Sequence, residues 1–221
     1  MNRSVQPHIV IFNNEHWPQG SYQELKADRF DILLGAVDTR RFAPQNNAGH
    51  RARWTIGGLA NKNPVPLVAA VSETKDVVLK LFGRDNYDLA SQFSHLVRDG
   101  RLDLVGTLVE EQLPAFYRDV DCVVMTEEFA GWANLAAEAM SSGVPLICTP
   151  HGTTAFARDG ETAIVVEEPS AKALRVAIDR MKSDPGLSQR LSAKGREVIE
   201  RFDWKPYCVS LLEICQRATT H

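Results

Sequence analysis

An α/β fold, with helices on both faces of a parallel sheet and a helical tail at the C-terminus, follows from three features of the sequence. Short runs rich in Val, Ile and Leu alternate with longer stretches of helical period as far as residue 166, the pattern left by βα units feeding a parallel sheet. Several of these runs, such as 77–82 and 144–149, are apolar almost throughout, as strands covered on both faces are. After Glu168, three helical stretches follow one another with no strand between them. Together these describe a Rossmann-like sheet closed by helices.

Taken in order, strands are expected at 8–12, 31–37, 53–57, 77–82, 102–106, 121–126, 144–149 and 163–166. Crossover helices are expected at 64–75, 89–99, 111–119 and 134–142, each long enough to return the chain for a parallel pairing. The tail is read as helices at 170–183, 186–202 and 203–216, with Ser170 and Asp203 as N-caps whose side-chain oxygens accept from first-turn amides. Residues 13–20 are turn-rich and 43–49 form a polar linker. Residues 1–52 are therefore a lead-in and linker packed on one domain that spans 53–221.

Composition narrows the function. An apolar share of 44% and a charged share of 24% are those of a folded globular protein. A net charge of −3 provides no broad cationic surface, so nucleic acid and anionic membranes are not expected partners, and a small molecule is. No run approaches the roughly 18–20 apolar residues of a spanning helix, and no apolar segment follows the Met-Asn-Arg-Ser start. A cytoplasmic location is expected, which makes the glycosylation match at Asn2-Arg3-Ser4 accidental. Cys122, Cys148, Cys208 and Cys215 never form C-x-x-C and read as small core residues, the last two on one helix face. The six histidines are dispersed, and no metal is expected. Gly57-Gly58 does not complete a dinucleotide fingerprint, and no Walker loop, G-x-S-x-G or H-E-x-x-H occurs.

The stretch from Asp121 to Gly152 carries the chemistry. It reads as strand, loop, helix, strand, with Gly131 letting backbone come close to a ligand and Asn134 able to cap the helix. First-turn amides at the carboxyl end of a parallel sheet favour a phosphate. Glu138, one turn further on, would set a carboxylate near ribose hydroxyls. On physics alone, an ordinary cap and a favourable first-turn acid explain Asn134 and Glu138 at least as well. Trp132 either stacks on a sugar or, the favoured reading, packs the loop. His151 either touches sugar or phosphate or only turns the chain. Trp54, Trp204 and Phe129 are read as core.

Glu138-Ala-Met-Ser-Ser-Gly143-Val-Pro145 resembles the E-A-M-x-x-G-x-P core of the donor-binding domain of family-four glycosyltransferases, enzymes of GT-B architecture. Ile32-Leu-Leu-Gly35-Ala36-Val-Asp38-Thr-Arg-Arg-Phe42-Ala-Pro44 is similar to that family's N-G-V-D-x-x-x-F-x-P entry segment. Leu104-Val-Gly106-Thr-Leu108-Val109 with Leu113-Pro-Ala-Phe-Tyr117-Arg-Asp-Val-Asp121 resembles the strand and helix beside its nucleobase pocket, and 152–166 resembles its D-G-x-x-G-x-L-V region. The likeness runs from about Ile32 to Phe202.

The resemblance implies one half of a GT-B fold that binds a nucleotide-diphosphate sugar as donor substrate, with no cofactor. By it, Glu138 binds the ribose, while the loop of Gly131 and Trp132 and the backbone at Ala133, Asn134 and Leu135 receive the diphosphate. Backbone at Leu108 and Val109 meets the base, which leaves uracil, guanine and adenine open. Besides Gly35 and Ala36, where the entry segment usually has Asn and Gly, two departures bear on the chemistry. Ala130 stands where the family has a sugar-binding glutamate, for which Glu127 or Glu128 would substitute. Gly58 stands where it has an arginine, leaving Lys62 as the lysine of the pair. The implied function is retaining hexosyl transfer to an acceptor held elsewhere: by a longer protein, a separate polypeptide, or nothing if the chain is a remnant. An undocked acceptor face would expose an apolar patch and favour self-association. The alternative is a catalytically degenerate nucleotide-sugar-binding or protein-interaction module. A sugar-nucleotide epimerase of related architecture fits the motifs less well.

Overall fold

The computed structural model describes residues 9–15, 29–44 and 53–219. Most of the 43–49 linker, most of the turn-rich 13–20 segment, His8 and Asn2 lie outside them. Strands β1 (Ile9–Phe12) and β2 (Arg29–Ile32) form a small parallel pair. The remaining strands are β3 (Trp54–Leu59), β4 (Val77–Phe82), β5 (Leu102–Gly106), β6 (Cys122–Met125), β7 (Leu146–Cys148) and β8 (Ile164–Val165). They make one parallel sheet of six strands in the order β5-β4-β3-β6-β7-β8. The order reverses at β3, which pairs with β4 on one side and β6 on the other. Crossovers on opposite sides of such a point leave a crevice at the carboxyl ends of the strands.

Helices α1 (Val65–Glu73), α2 (Leu89–Gln92), α3 (Ser94–Arg98), α4 (Leu113–Arg118), α5 (Asn134–Ser141), α6 (Ala171–Ser183), α7 (Pro185–Ile199) and α8 (Trp204–Thr219) complete the chain. Side chains of a strand alternate between faces, and β6 shows it directly. Cys122 and Val124 join the core beneath α1 and α6, while Val123 and Met125 join the core beneath α4 and α5. The sheet is thus covered twice, as its continuous apolar strands require.

Two glycines bring the helices close. A Cβ on Gly57 would stand 3.0 Å from the Phe116 ring on α4, and one on Gly58 would stand 3.0 Å from Leu81, 3.1 Å from the Val124 carbonyl and 3.3 Å from Leu67 on α1. Gly143 ends α5 at φ 72° in a Schellman arrangement, with its amide on the Met140 carbonyl and the Val144 amide on that of Ala139. Pro145 then starts the run into β7. That is the local meaning of the G-x-P in the motif.

Several expectations are corrected. The strand expected at 31–37 ends at Ile32, because Gly35 lies against Trp132, whose ring would be 2.3 Å from a Cβ there, so the backbone leaves the β1–β2 pair to pass it. The helix expected at 89–99 breaks at Phe93, with φ −117° and ψ 38°. Ser170 caps α6 as expected, accepting from the Ala173 amide at 3.2 Å. Asp203 accepts from the Lys205 amide at 3.1 Å. Asn134 does not cap α5: it is the first helical residue, and Ala133 occupies the cap without a side-chain bond. Cys122 and Cys148 are buried, but Cys208 and Cys215 are exposed, because their face of α8 is not covered by the described residues. Phe129 and Trp204 are also outside the core, 88% and 50% exposed.

Gly58→Ala is expected to cost about 1–3 kcal/mol through overpacking against the Val124 backbone, and Gly58→Arg to prevent folding. Urea unfolding of the first and solubility of the second check this; a Gly58→Arg protein of parental stability would refute the packing assignment.

Candidate functional site

The loops after β3, β6, β7 and β8 converge at the carboxyl ends of the strands, held by buried threonines. The Thr126 hydroxyl donates to the carbonyls of Lys62 (3.0 Å) and Asn63 (2.8 Å), joining the β3 loop to the β6 loop. The Thr149 hydroxyl donates to the Glu127 carbonyl, and that of Thr153 to the Thr149 carbonyl at 2.6 Å. These bonds satisfy backbone groups that loops over a core would otherwise strand. They also fix Lys62 and Glu127 together at the point where the strand order reverses.

The start of α5 opens on this face. The Ala133 amide is spent on the Gly152 carbonyl at 3.1 Å, and the helix ladder begins with the Ala137 amide on the Ala133 carbonyl. Among the described residues no acceptor meets the amides of Asn134, Leu135 and Ala136. The Asn134 side chain is exposed beside them. Unengaged amides at the positive end of a helix attract an anion.

Glu138, one turn along, is mostly buried and accepts from the Tyr117 hydroxyl at 2.7 Å. Burial pushes its carboxyl up to about 7, with Glu110 adding to the rise, while the Tyr117 bond and Arg41 pull it back. Arg41 comes from the lead-in and pairs with Glu110 and, at 3.8 Å, with Glu111. The backbone at Val109 is less free than the sequence suggested. Its amide donates to the Gln112 Oε1 at 3.0 Å, and its carbonyl accepts from the Gln112 amide at 2.9 Å. Leu108 is half-buried against the α4 and α5 core.

On the other side, an open cleft of about 590 Å³ is lined by Asn63, Glu128, Phe129, His151, Glu167 and Ser170, among others. The exposed Phe129 ring lies 6.3 Å from that of His151, tilted by 34°. Glu127 is half-buried; burial raises its carboxyl above the usual range and Lys62 opposes the rise. Lys62 and Glu127 thus share one site, and Glu128 faces the cleft, apart from the Glu138 side.

Gly131 serves the lead-in: a Cβ on it would stand 2.2 Å from the Asn13 Oδ1, and the Asn14 side chain donates to the Gly131 carbonyl at 3.0 Å. Trp132 packs, its ring 5.0 Å from Phe156 and 5.3 Å from Phe202, with its indole N–H buried and without an acceptor among the described residues. Sequence reading missed Asn14, Arg41 and Glu110, which act from outside the motif segment. Tyr117 was visible only within the segment that resembles the helix beside the nucleobase pocket.

A parallel sheet with this reversal, covered on both faces, is a Rossmann-like architecture that solved glycosyltransferases share. HepE from Anabaena, solved in complex with UDP and glucose, superposes with a TM-score of 0.81 at 14% identity, over 95% of this chain and 63% of its own. The isolated C-terminal domain of LpcC, a glycosyl transferase group 1 family protein from Francisella tularensis, gives a TM-score of 0.64 at 20% identity, over 75% of this chain and 97% of its own. The model of the family described as glycosyl transferases group 1 matches residues 55–198, and the chain belongs to that family. Among curated relatives, the D-inositol 3-phosphate glycosyltransferase of Rhodococcus jostii is 25% identical, over 88% of this chain and 48% of the relative. The chain spans about half the length of the curated relatives of this kind. No helix among the described residues is long and apolar enough to cross a membrane.

Glu138 carries a sign-definite signature in stability. A carboxyl whose folded value, about 7, lies above its ordinary 4.5 stabilises the fold fully below 4.5, and that contribution is lost as pH rises to about 7. Glu138→Gln, which stays neutral, is therefore expected to gain stability on the parent between those pH values and to hold a constant advantage above them. Urea unfolding across pH 4.5–8 reads this; a difference independent of pH would mean that burial does not neutralise the carboxyl.

Proposed function

We propose that the chain is the nucleotide-sugar-binding half of a retaining, hexosyl-transferring enzyme of the family-four type, acting on an acceptor held by another domain or polypeptide. One observation carries the reading: three unengaged amides at the start of α5 and the Glu138 carboxylate one turn later share the carboxyl edge of the sheet beside its reversal. The amides of Asn134, Leu135 and Ala136 receive the diphosphate, a shift of one residue from the 133–135 expected, since Ala133 is engaged. Glu138 accepts from the ribose hydroxyls. Leu108 presents backbone toward the base, and Lys62 meets the charge that develops on the leaving diphosphate. No cofactor or resident metal is called for. Glu128 in the cleft stands in for the family glutamate absent at Ala130. The UDP in HepE makes a uracil nucleotide the first to test. Phe129 and Val109, exposed on the same face, suit contact with an acceptor half or a second copy.

Calorimetric titration with UDP, GDP and ADP tests the reading. One of them is expected to bind, and Glu138→Ala to weaken it about 10- to 100-fold, the worth of hydrogen bonds to a charged group. Failure of all three to bind a folded chain would overturn it.

A second reading, a module that binds without catalysing, is favoured by the packing around Gly58, where no guanidinium fits. Loss of a donor to the leaving group costs roughly 10²–10³ in rate. Nucleotide binding without sugar transfer, measured with an acceptor half supplied, would select this second reading.

A further inference from the structure

We propose that Tyr117 is a positioning residue for the nucleotide, its hydroxyl holding Glu138 by one carboxylate oxygen and leaving the other for the ribose diol. This rests on the reading that Glu138 binds ribose. Tyr117 is fully buried on α4, and its ring is held edge-on by Phe42 from the lead-in (5.7 Å, 80°) and by Phe116 (5.7 Å, 81°). The phenol therefore has one place to point, and the Oε2 of Glu138 is there at 2.7 Å. Among the described residues no second donor reaches Glu138. A glutamate has three rotatable side-chain bonds, and a single fixed donor selects the rotamer that keeps Oε1 available.

The same bond governs charge. The charged groups facing Glu138 are Glu110, which disfavours ionisation, and Arg41, which favours it, and these two are paired with each other. The phenol is left as the group that opposes burial and keeps the titration of the carboxyl near neutrality. Its own proton is secure, because burial and the neighbouring Glu138 raise its pKa well above the ordinary value, so it acts only as a donor. Phenylalanine would keep the packing and remove the donor.

The test is UDP, GDP or ADP affinity, whichever binds, between pH 6 and pH 9 for the full chain, Tyr117→Phe and Glu138→Gln. The Gln variant reports the titration of the nucleotide itself. Relative to it, parental affinity should rise through about pH 7, following Glu138. Tyr117→Phe should move that midpoint upward, weakening binding about 5-fold or more at pH 7, and the released Glu138 rotamer should leave a smaller but measurable loss at pH 9. If the Phe variant does not fold, 3-fluorotyrosine at position 117, a stronger donor, should move the midpoint downward instead. A Tyr117→Phe profile that superimposes on the parent, or a loss equal at every pH, overturns the positioning role. Parental affinity in Glu138→Gln, or no binding at all, overturns the underlying ribose assignment and the proposal with it.

Discussion

The guanidinium of Arg196 is the joint on which the site depends. It donates to the carbonyls of Thr39 (3.1 Å) and Phe42 (3.2 Å) in the lead-in, and to the hydroxyl (2.9 Å) and carbonyl of Ser141 at the end of α5, while its Nε holds Glu200 at 2.8 Å. A planar, permanently charged donor can satisfy several carbonyls at once where a lysine would satisfy fewer in fixed directions. Two of those acceptors belong to the turn that carries Arg41 and Phe42 to Glu110 and Tyr117. A third belongs to the helix that carries Glu138. The positive charge also sits at the negative end of α5, the end opposite the three unengaged amides.

From this joint the arrangement follows with little freedom. Asp203 takes the Thr39 hydroxyl at 2.6 Å, and the Val37 amide meets the Phe202 carbonyl at 2.9 Å, so residues 37–42 lie along the α7–α8 junction. The lead-in then reaches the proposed site twice, through Phe42 on the Tyr117 and Glu138 side and through Asn14 on the α5 loop. The family match begins at residue 55, yet the carboxylate at the centre of the proposed site is oriented by side chains that answer to residues before it.

The sheet was readable because its strands are apolar on both faces, and β4 and β5 fall where the sequence places them. The α5 segment was readable because its stop signal, Gly143 followed by Pro145, is local. What the sequence concealed is what depends on tertiary contact. Leu33 to Val37 have strand composition but must pass Trp132. Phe129 looks like core but belongs to a loop where the described residues leave it 88% exposed. Asn134 has the chemistry of a cap, yet the helix begins one residue too early for it to serve. Gly131 has the look of a loop glycine free to approach a ligand, and Asn13, over a hundred positions away, lies where its side chain would stand. A buried tyrosine gives no local signal of its partner, since α4 and α5 are joined only through β6.

The indole of Trp132 has a further consequence. It lies where Gly35 has no side chain, against Phe156 and Phe202, so the segment leaving β2, the loop before α5 and the α7–α8 junction share one interlocked contact. Close-packed interiors transmit displacement instead of absorbing it. A swing of the β1–β2 pair about residues 33–37 would carry the indole with it, and with the indole the row of amides behind it. The β1–β2 pair and the start of α5 are in this sense joined through one side chain.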